Sequence, residues 1–327
     1  MGKGFSVLLM SDIVISAIIP NFNHAQYLPR SVASFLNQPL LPTEIILVDD
    51  CSTDNSLEVM AELTKKSPLI RILKNEKNMG VNASMNRAME QAKGNYVLFT
   101  AADDEIRPGV FEHATRMLRA HPKAALCSGI AEWRCMKTGQ TWYNGGAMPN
   151  KECYLSPEEM ARLAKKGRLA INNQNTVYKK SALMEAGGWI PELHWFSDWF
   201  ADCAVGFRYG MCHVPEVLSN FYLNPGSYYN ATSQKHGERR VVLECMVDYL
   251  ESKRFSDIAP LVRSSGFMGV FGWPMMKVVL SNRRYWKYLT PAFVRQSGKR
   301  SAEVFGRRFF PDWLARLCQK AFYGRKN

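Results

Sequence analysis

The sequence predicts an α/β fold, a mostly parallel sheet flanked by helices, followed by a helical basic C-terminal extension. Three observations predict it. Short β-branched apolar runs alternate with amphipathic helical stretches over the first hundred residues, the pattern of strand–helix–strand units. Those runs show little polar alternation, so both faces of the sheet are covered. The net charge of +13 is also concentrated: residues 235–327 hold 19 Lys/Arg against 7 Asp/Glu, leaving the first 234 residues nearly neutral.

Taken in order, "IVISAIIP" (13–20) is a buried strand ended by Pro20. In "NFNHAQYLPRSVASFLNQ" a polar turn leads into a helix with Leu28, Val32, Phe35 and Leu36 near one face. "TEIILVDD" (43–50) is a second buried strand, and "STDNSLEVMAELTKK" starts with Ser/Thr/Asp caps and continues as a helix. "IRILKN" (70–75) is the third strand, "NASMNRAMEQAKG" a helix closed by Gly94, and "NYVLFTA" the fourth strand. A helix in "RPGVFEHATRMLRAHP" precedes two strands, "AALCSGIAEWR" and "KTGQTWYN", around a glycine turn. "SPEEMARLAKKG" carries a full N-terminal signature: Ser156 as cap, Pro157 in the first turn and Glu159 completing a capping box. "NNQNTVYKKSALMEAGGW" reads as a strand and a short helix ending at Gly187, and "HWFSDWFADCAVGFRYG" as a helix starting near Ser197-Asp198.

Composition removes several classes. With 46% hydrophobic and 22% charged residues the chain is globular rather than disordered. The eight cysteines form no CxxC pair, which favours reduced packing thiols over a zinc site. At the start, Asp12 interrupts the apolar run that a signal peptide would need, and Gly2 is only a weak myristoylation signal. No GxGxxG follows the first strand and no GxxxxGK[ST] occurs, which argues against dinucleotide and P-loop sites. Ligands of open α/β sheets gather at the carboxyl ends of the strands. Three strands here end in polar groups, Asn21-Phe22-Asn23, Asp49-Asp50 and Asp103-Asp104, which should converge on one edge.

The run "SAIIPNFNHAQYLPRSVASFLNQ…TEIILVDDCSTDNS…NEKNMGVNASMNRAMEQAKGNYVLFTAADD" resembles the nucleotide-binding half of family 2 inverting glycosyltransferases with the GT-A fold. "ALMEAGGWIPELHWFSDWFADCAVGFRYG" is similar to that family's acceptor-side segment, and the resemblance covers roughly residues 13–225. It implies sugar transfer from a nucleotide diphosphate donor, a UDP-sugar, with Mn²⁺ or Mg²⁺ as cofactor. It also implies a catalytic domain over 1–230, with a donor half (13–110) and an acceptor half (111–230), and a separate basic region over 231–327.

Residue by residue, the resemblance makes Asp50 an acceptor of a hydrogen bond from the base, with Asp49 supporting the turn; both could instead cap the following helix. Pro20 and Phe22 match positions lining base and ribose, with Asn21 and Asn23 beside them, and simple turn packing competes. Arg71 reaches the base or is a solvated strand-end arginine. Gly80 allows a tight turn by the donor, and Asn82 contacts the donor or caps the helix. Asp103 and Asp104 match the metal-binding end of the fourth strand, Asp103 also serving the donor. The family pattern D-x-D-D is A-A-D-D here, with Ala101 in place of the first acid. Asp198 matches the general base of inverting members, and the preceding family Glu is Ser197. Asp202, one turn on, is the reserve. His194, Trp195 and Phe196 either shape an acceptor pocket or pack. A cation after the last strand is not evident in "VLSNFYLNPGSYYN".

No QxxRW motif or long apolar span is present, so the resemblance is to non-processive members that build bacterial surface glycans. The basic region mixes Arg and Lys with Trp, Phe and Tyr, as in "NRRYWKYLTPAFVRQSGKR" and "EVFGRRFFPDWLARLCQKAFYGRK". That suits peripheral binding to an anionic membrane, at the inner face of the plasma membrane, near a lipid-linked or glycan acceptor. Packing on the catalytic domain and a homo-oligomer interface compete with it, and nucleic acid is not expected. Ala101 and Ser197 also motivate a second class, a degenerate member that binds glycan or a partner without catalysis. A nucleotidyltransferase is disfavoured because "NFNHAQ" lacks a Gly-rich basic loop.

Overall fold

Four parallel strands carry the first half: β1 (Ile15–Asn21), β2 (Glu44–Asp49), β3 (Ile70–Lys74) and β4 (Tyr96–Phe99), side by side in the order β3-β2-β1-β4. The computed structural model describes residues 13–223 and 236–309. Helices α1 (Leu28–Leu36), α2 (Ser56–Thr64) and α3 (Val81–Gln91) follow the first three strands, and such crossovers impose parallel pairing. Alternate residues of β1 feed two cores. Ile18 joins Val48 and Phe99 on one face; Ala17 and Ile19 join Leu28, Val32 and Phe35 on the other. Pro20 sits in this central strand without cost to the ladder. Ile18 already accepts the last β4-side bond, from the Thr100 amide, so the donor Pro20 lacks would face past the end of β4.

Gly94 does not close α3 in the expected way. The helix ends at Gln91, with Ala92 already extended. Gly94 is required by close approach: a Cβ there would lie 2.6 Å from Ser16 N and from Val14 O.

Beyond β4 the sheet becomes mixed. The two-residue strand β5 (Glu105–Ile106) and helix α4 (Val110–Ala120) lead to β6 (Leu126–Cys135), β7 (Thr141–Asn144) and β8 (Cys153–Leu155). Then come α5 (Pro157–Lys165), β9 (Val177–Lys179), α6 (Lys180–Glu185), α7 (Ser197–Tyr209) and β10 (Met211–Leu223). The order is β3-β2-β1-β4-β9-β6-β10-β5, with β7 on β6 and β8 on β10. β9 inserts antiparallel between β4 and β6, β6 and β10 pair parallel, and five of the nine pairings are antiparallel, so the sheet is purely parallel across its first four strands and mixed beyond them. The α5 capping box forms as expected, Ser156 Oγ accepting from Glu159 N and Glu159 accepting from Ser156 N.

Among the described residues four helices follow: α8 (His236–Leu250), α9 (Ala259–Ser265), α10 (Trp273–Ser281) and α11 (Pro291–Phe309). They pack into the same core as Ile18, burying Leu243, Met246, Leu250, Val278 and Phe293 completely. Phe200 meets Phe255 edge-on at 5.1 Å and Trp199 stacks on Phe267 at 4.7 Å. No helix among the described residues is long and apolar enough to cross a membrane. Most of the stretch "EVFGRRFFPDWLARLCQKAFYGRK", and the second half of "VLSNFYLNPGSYYN", lie outside the described residues.

Candidate active site

The carboxyl edge of the parallel strands gathers the polar strand ends. Asn21 and Asp49 are register partners at the ends of β1 and β2. Ser52 Oγ accepts from the Asn21 amide at 3.2 Å and from Asn23 N at 3.0 Å, and Asn23 Oδ1 caps the next turn by accepting from Thr53 N at 2.7 Å. Asn21 Oδ1 and Asp49 Oδ1 are buried without a hydrogen-bond partner. Phe22 stands beside them, 43% exposed and able to meet a flat ligand.

Asp50 does more than cap a helix. Its Oδ1 accepts from Asn75 Nδ2 and Met79 N, and its Oδ2 from Gly80 N, all at 2.8 Å. The carboxylate thus fixes the turn in which Gly80 takes φ 82°, a region that favours glycine. Asn82 neither caps α3 nor is solvated: it is buried and donates to the His194 carbonyl at 2.9 Å. Asn86 binds Trp189 on both sides, donating to its carbonyl (2.7 Å) and accepting from its amide (2.9 Å). The Met79–Gly80 turn and the start of α3 are therefore tied to the segment entering α7. Among the described residues, the three non-glycine positions with positive φ are Asn23, Cys51 and His194, all bordering this edge. Such conformations cost about 1–3 kcal/mol each and persist where the surroundings over-determine them.

Asp103 and Asp104 follow β4. Asp104 Oδ1 accepts from Tyr222 N at 3.0 Å, while its buried Oδ2 has no hydrogen-bond partner. Burial, then the neighbouring charge of Asp103, pushes the Asp104 carboxyl well above the usual range. Arg30 organises the pair from outside. It donates to the Asp103 carbonyl at 2.8 Å, pairs with Glu105 at 2.7 Å and lies 4.3 Å over the Tyr222 ring. An oxygen-only donor set with one unsatisfied carboxylate oxygen fits a hard dication. No group of three or more metal-ligating side chains occurs among the described residues. The chain would thus supply one or two of the ligands of such an ion.

Asp198 lies in the first turn of α7, half-buried, its Oδ1 accepting from Trp199 N at 2.6 Å. Burial pushes its carboxyl up to about 6. Asp202 is more enclosed: Tyr178 Oη donates to it at 2.5 Å, and burial holds it well above the usual range. It borders a cavity of about 290 Å³ with Trp199, Phe267 and the α11 residues Gln296 and Arg300. Phe196 is packed against Phe271 at 4.8 Å, whereas His194 is exposed and Trp195 half-exposed.

Arg71 is not brought to this edge. It pairs with Ile46 in register, and its guanidinium donates to Glu44, the first residue of β2, at 2.7 Å, and to the Gln91 carbonyl at 2.9 Å. Asp49 lies five residues further along β2, about 16 Å away at the usual rise per residue. Arg71 therefore serves the buried Glu44 rather than a base. Sequence reasoning missed Arg30, Asn75, Tyr178 and Tyr222. Their partners are far away in sequence, Arg30 reaching 73 residues to Asp103 and Tyr222 118 residues to Asp104.

The pattern of "Glycosyl transferase family 2" matches residues 16–185, just over half of the 327-residue chain. The chain belongs to glycosyl transferase family 2. The matched stretch contains every polar strand end described above. The family 2 chain is 36% identical over 136 residues to "Uncharacterized glycosyltransferase YibD" of Escherichia coli (strain K12), covering 41% of this chain and 39% of that protein. It is 36% identical over 92 residues to "Putative teichuronic acid biosynthesis glycosyltransferase TuaG" of Bacillus subtilis (strain 168), covering 28% and 36%. These matches span less than two-fifths of each relative's length. Among solved structures, residues 1–349 of S. aureus TarS with UDP-GlcNAc superpose at TM-score 0.65 and 17% identity, covering 95% of this chain and 89% of that one. Mannosyltransferase PcManGT from Pyrobaculum calidifontis, with GDP-Man and Mn2+, gives 0.56 and 14%, covering 96% and 86%. At those identities the likeness concerns the fold: the family 2 chain shares a GT-A-type α/β architecture with both.

Proposed function

We propose that this chain transfers a hexose from a nucleotide diphosphate sugar, a UDP-sugar, to a glycan or lipid-linked acceptor with inversion, in the building of a bacterial surface polysaccharide. One observation carries the reading: two acidic pairs share the carboxyl edge of the sheet, and Asn82 ties that edge to the segment presenting Asp198. Family membership, the UDP-GlcNAc complex of TarS and the name of TuaG agree with it.

In this reading Phe22 stacks on the base and Pro20 shapes the turn beneath it. The unsatisfied oxygens of Asn21 and Asp49 accept from base or ribose, and Asp50 holds the Met79–Gly80 turn against the donor. Asp103 and Asp104 would hold Mn²⁺ or Mg²⁺, which when bound neutralises the leaving nucleotide diphosphate. Asp198 is the general base. It takes the proton from the acceptor hydroxyl as that oxygen attacks the anomeric carbon on the face opposite the leaving group. A carboxyl at about 6 is ionised at neutral pH yet a better base than an exposed one. Asp202, held by Tyr178, forms part of the wall of an acceptor cavity, and His194 and Trp195, just ahead of Asp198, also meet the acceptor. Residues 1–230 form the catalytic region. Helices α8 to α11 of the basic region pack on the preceding core, and the region 231–327 seats the chain peripherally at the inner face of the plasma membrane. Neither nucleic acid nor a processive mechanism enters this reading.

The test is turnover of radiolabelled UDP-sugars with and without Mn²⁺. Wild-type chain should release UDP and label the acceptor in a Mn²⁺-dependent way, and Asp198→Asn should abolish transfer while sparing donor binding. Full transfer by Asp198→Asn would sink the base assignment. Tight donor binding with no turnover by the wild type would favour the second reading, a binding protein without catalysis, which Ala101 in place of the usual first acid motivates.

A further inference from the structure

The helix α10 buries Met275, Val278 and Val279 and turns Trp273, Lys277 and Leu280 outward. Their spacing of i, i+4 and i+7 places them on one helical face. Trp273 is 52% exposed and Leu280 49%. The 3-10 turn Arg283–Tyr288 then folds Trp286 back onto the end of the helix, where its indole N–H donates to the Leu280 carbonyl at 3.4 Å. Trp286 is itself 47% exposed. Two large aromatic rings and a leucine therefore form one outward patch.

Cations flank both rings. Lys277 Nζ lies 5.9 Å from the Trp273 ring centre, and the Arg283 guanidinium 5.4 Å from that of Trp286. Neither has a carboxylate partner among the described residues. Three acids on or just after the adjoining α8 are ion-paired: Glu244 with Arg240, Asp248 with Arg284, and Glu251 with Arg263 and Lys287. The patch is thus apolar, aromatic and net positive, inside a C-terminal region that carries nearly all of the chain's excess charge.

We propose that this patch is where the chain sits on an anionic phospholipid surface, with Trp273, Leu280 and Trp286 in the headgroup layer and Lys277 and Arg283 on lipid phosphates. The inference rests on the peripheral-membrane reading above and assigns it to five residues. Tryptophan rings favour the membrane–water boundary, and each basic residue near an anionic leaflet strengthens binding about fivefold. The helix is only nine residues, about 14 Å long, so it lies in the interface rather than across it.

Flotation of the full chain tests the assignment, using vesicles of phosphatidylcholine alone and of phosphatidylcholine with phosphatidylglycerol. Wild type should float with the anionic vesicles only, less so at high salt. Trp273→Ala/Trp286→Ala should lower the bound fraction about tenfold or more, and Lys277→Glu/Arg283→Glu should do the same. Melting temperature and Mn²⁺-dependent UDP-sugar turnover with a water-soluble acceptor should stay unchanged in both variants, which separates this inference from the catalytic one. Undiminished flotation of both folded variants, or equal flotation of wild type on neutral vesicles, overturns it. So does a dimer in light scattering that the tryptophan variant dissolves without any effect on flotation.

Discussion

Asn82 on α3 donates to the carbonyl of His194 at 2.9 Å, joining the helix that begins beside Asp50 to the strained turn that precedes Asp198. The bond links the carboxyl edge of the sheet to the start of α7, two segments 112 residues apart in sequence. Asn82→Ala would leave a carbonyl without its partner, at a cost of about 1–3 kcal/mol. Urea unfolding should register that loss. Transfer should lose kcat while donor affinity stays nearly intact, because the bond positions α7 and not the nucleotide. A change confined to donor affinity would contradict this role.

Asp198 has a two-part pH signature. If it is the base, kcat/KM should rise as pH climbs through about 6 and level off above. Asp198→Asn should remove that limb and lower turnover by about 10²–10⁴. Stability runs the other way. A folded-state carboxyl raised from 3.8 to about 6 retains its proton longer than the unfolded chain does, so its contribution declines as pH rises through that window. Thermal melts should therefore show Asp198→Asn at least as stable as wild type at pH 7, with the difference vanishing near pH 4. A destabilised variant at pH 7 would count against the burial described here.

Asp104 presents one satisfied and one unsatisfied oxygen. Asp104→Asn keeps an oxygen to accept from Tyr222 N and removes the carboxylate. Calorimetry should find UDP affinity unchanged in EDTA, while the gain on adding Mn²⁺ falls at least about tenfold. An undiminished Mn²⁺ effect would move the metal away from this pair.

Arg71 should matter for stability alone. Glu44 is buried, and although burial would raise its carboxyl, Arg71, the Lys93 amide and Ser16 together hold it below the usual range. Such a depressed carboxylate contributes stability at neutral pH that is lost as pH falls through its folded value. Arg71→Met would leave a buried charge short of a partner and should cost about 2–4 kcal/mol by denaturant titration, with UDP affinity unchanged. Weaker UDP binding by the folded variant would return Arg71 to the donor site.

The first four strands, the α5 cap and the start of α7 were legible because each is written locally: apolar runs ending in Asn or Asp, and Ser156 three residues ahead of Glu159. What was not legible depends on partners far along the chain. Nothing in "VYK" shows that β9 inserts antiparallel between β4 and β6. Gly94 looks like a helix stop, but its reason is the backbone of Val14 and Ser16. Asn82 looks like a cap, and its partner lies in another half of the molecule. Arg71 reads as a strand-end cation until register places it beside Glu44. Arg30 and Tyr222, which brace the Asp103–Asp104 pair, carry no motif at all.

The central claim is that the carboxyl edge holds a nucleotide diphosphate sugar together with a divalent cation. A thermal-shift panel of nucleotide sugars with Mn²⁺ tests it most directly. A UDP-sugar at about a hundred times its Kd should stabilise the wild-type chain by roughly 2.7 kcal/mol, a rise of several degrees that EDTA and Asp104→Asn both diminish. A panel in which no nucleotide sugar shifts the melting temperature, with or without Mn²⁺, would contradict the claim.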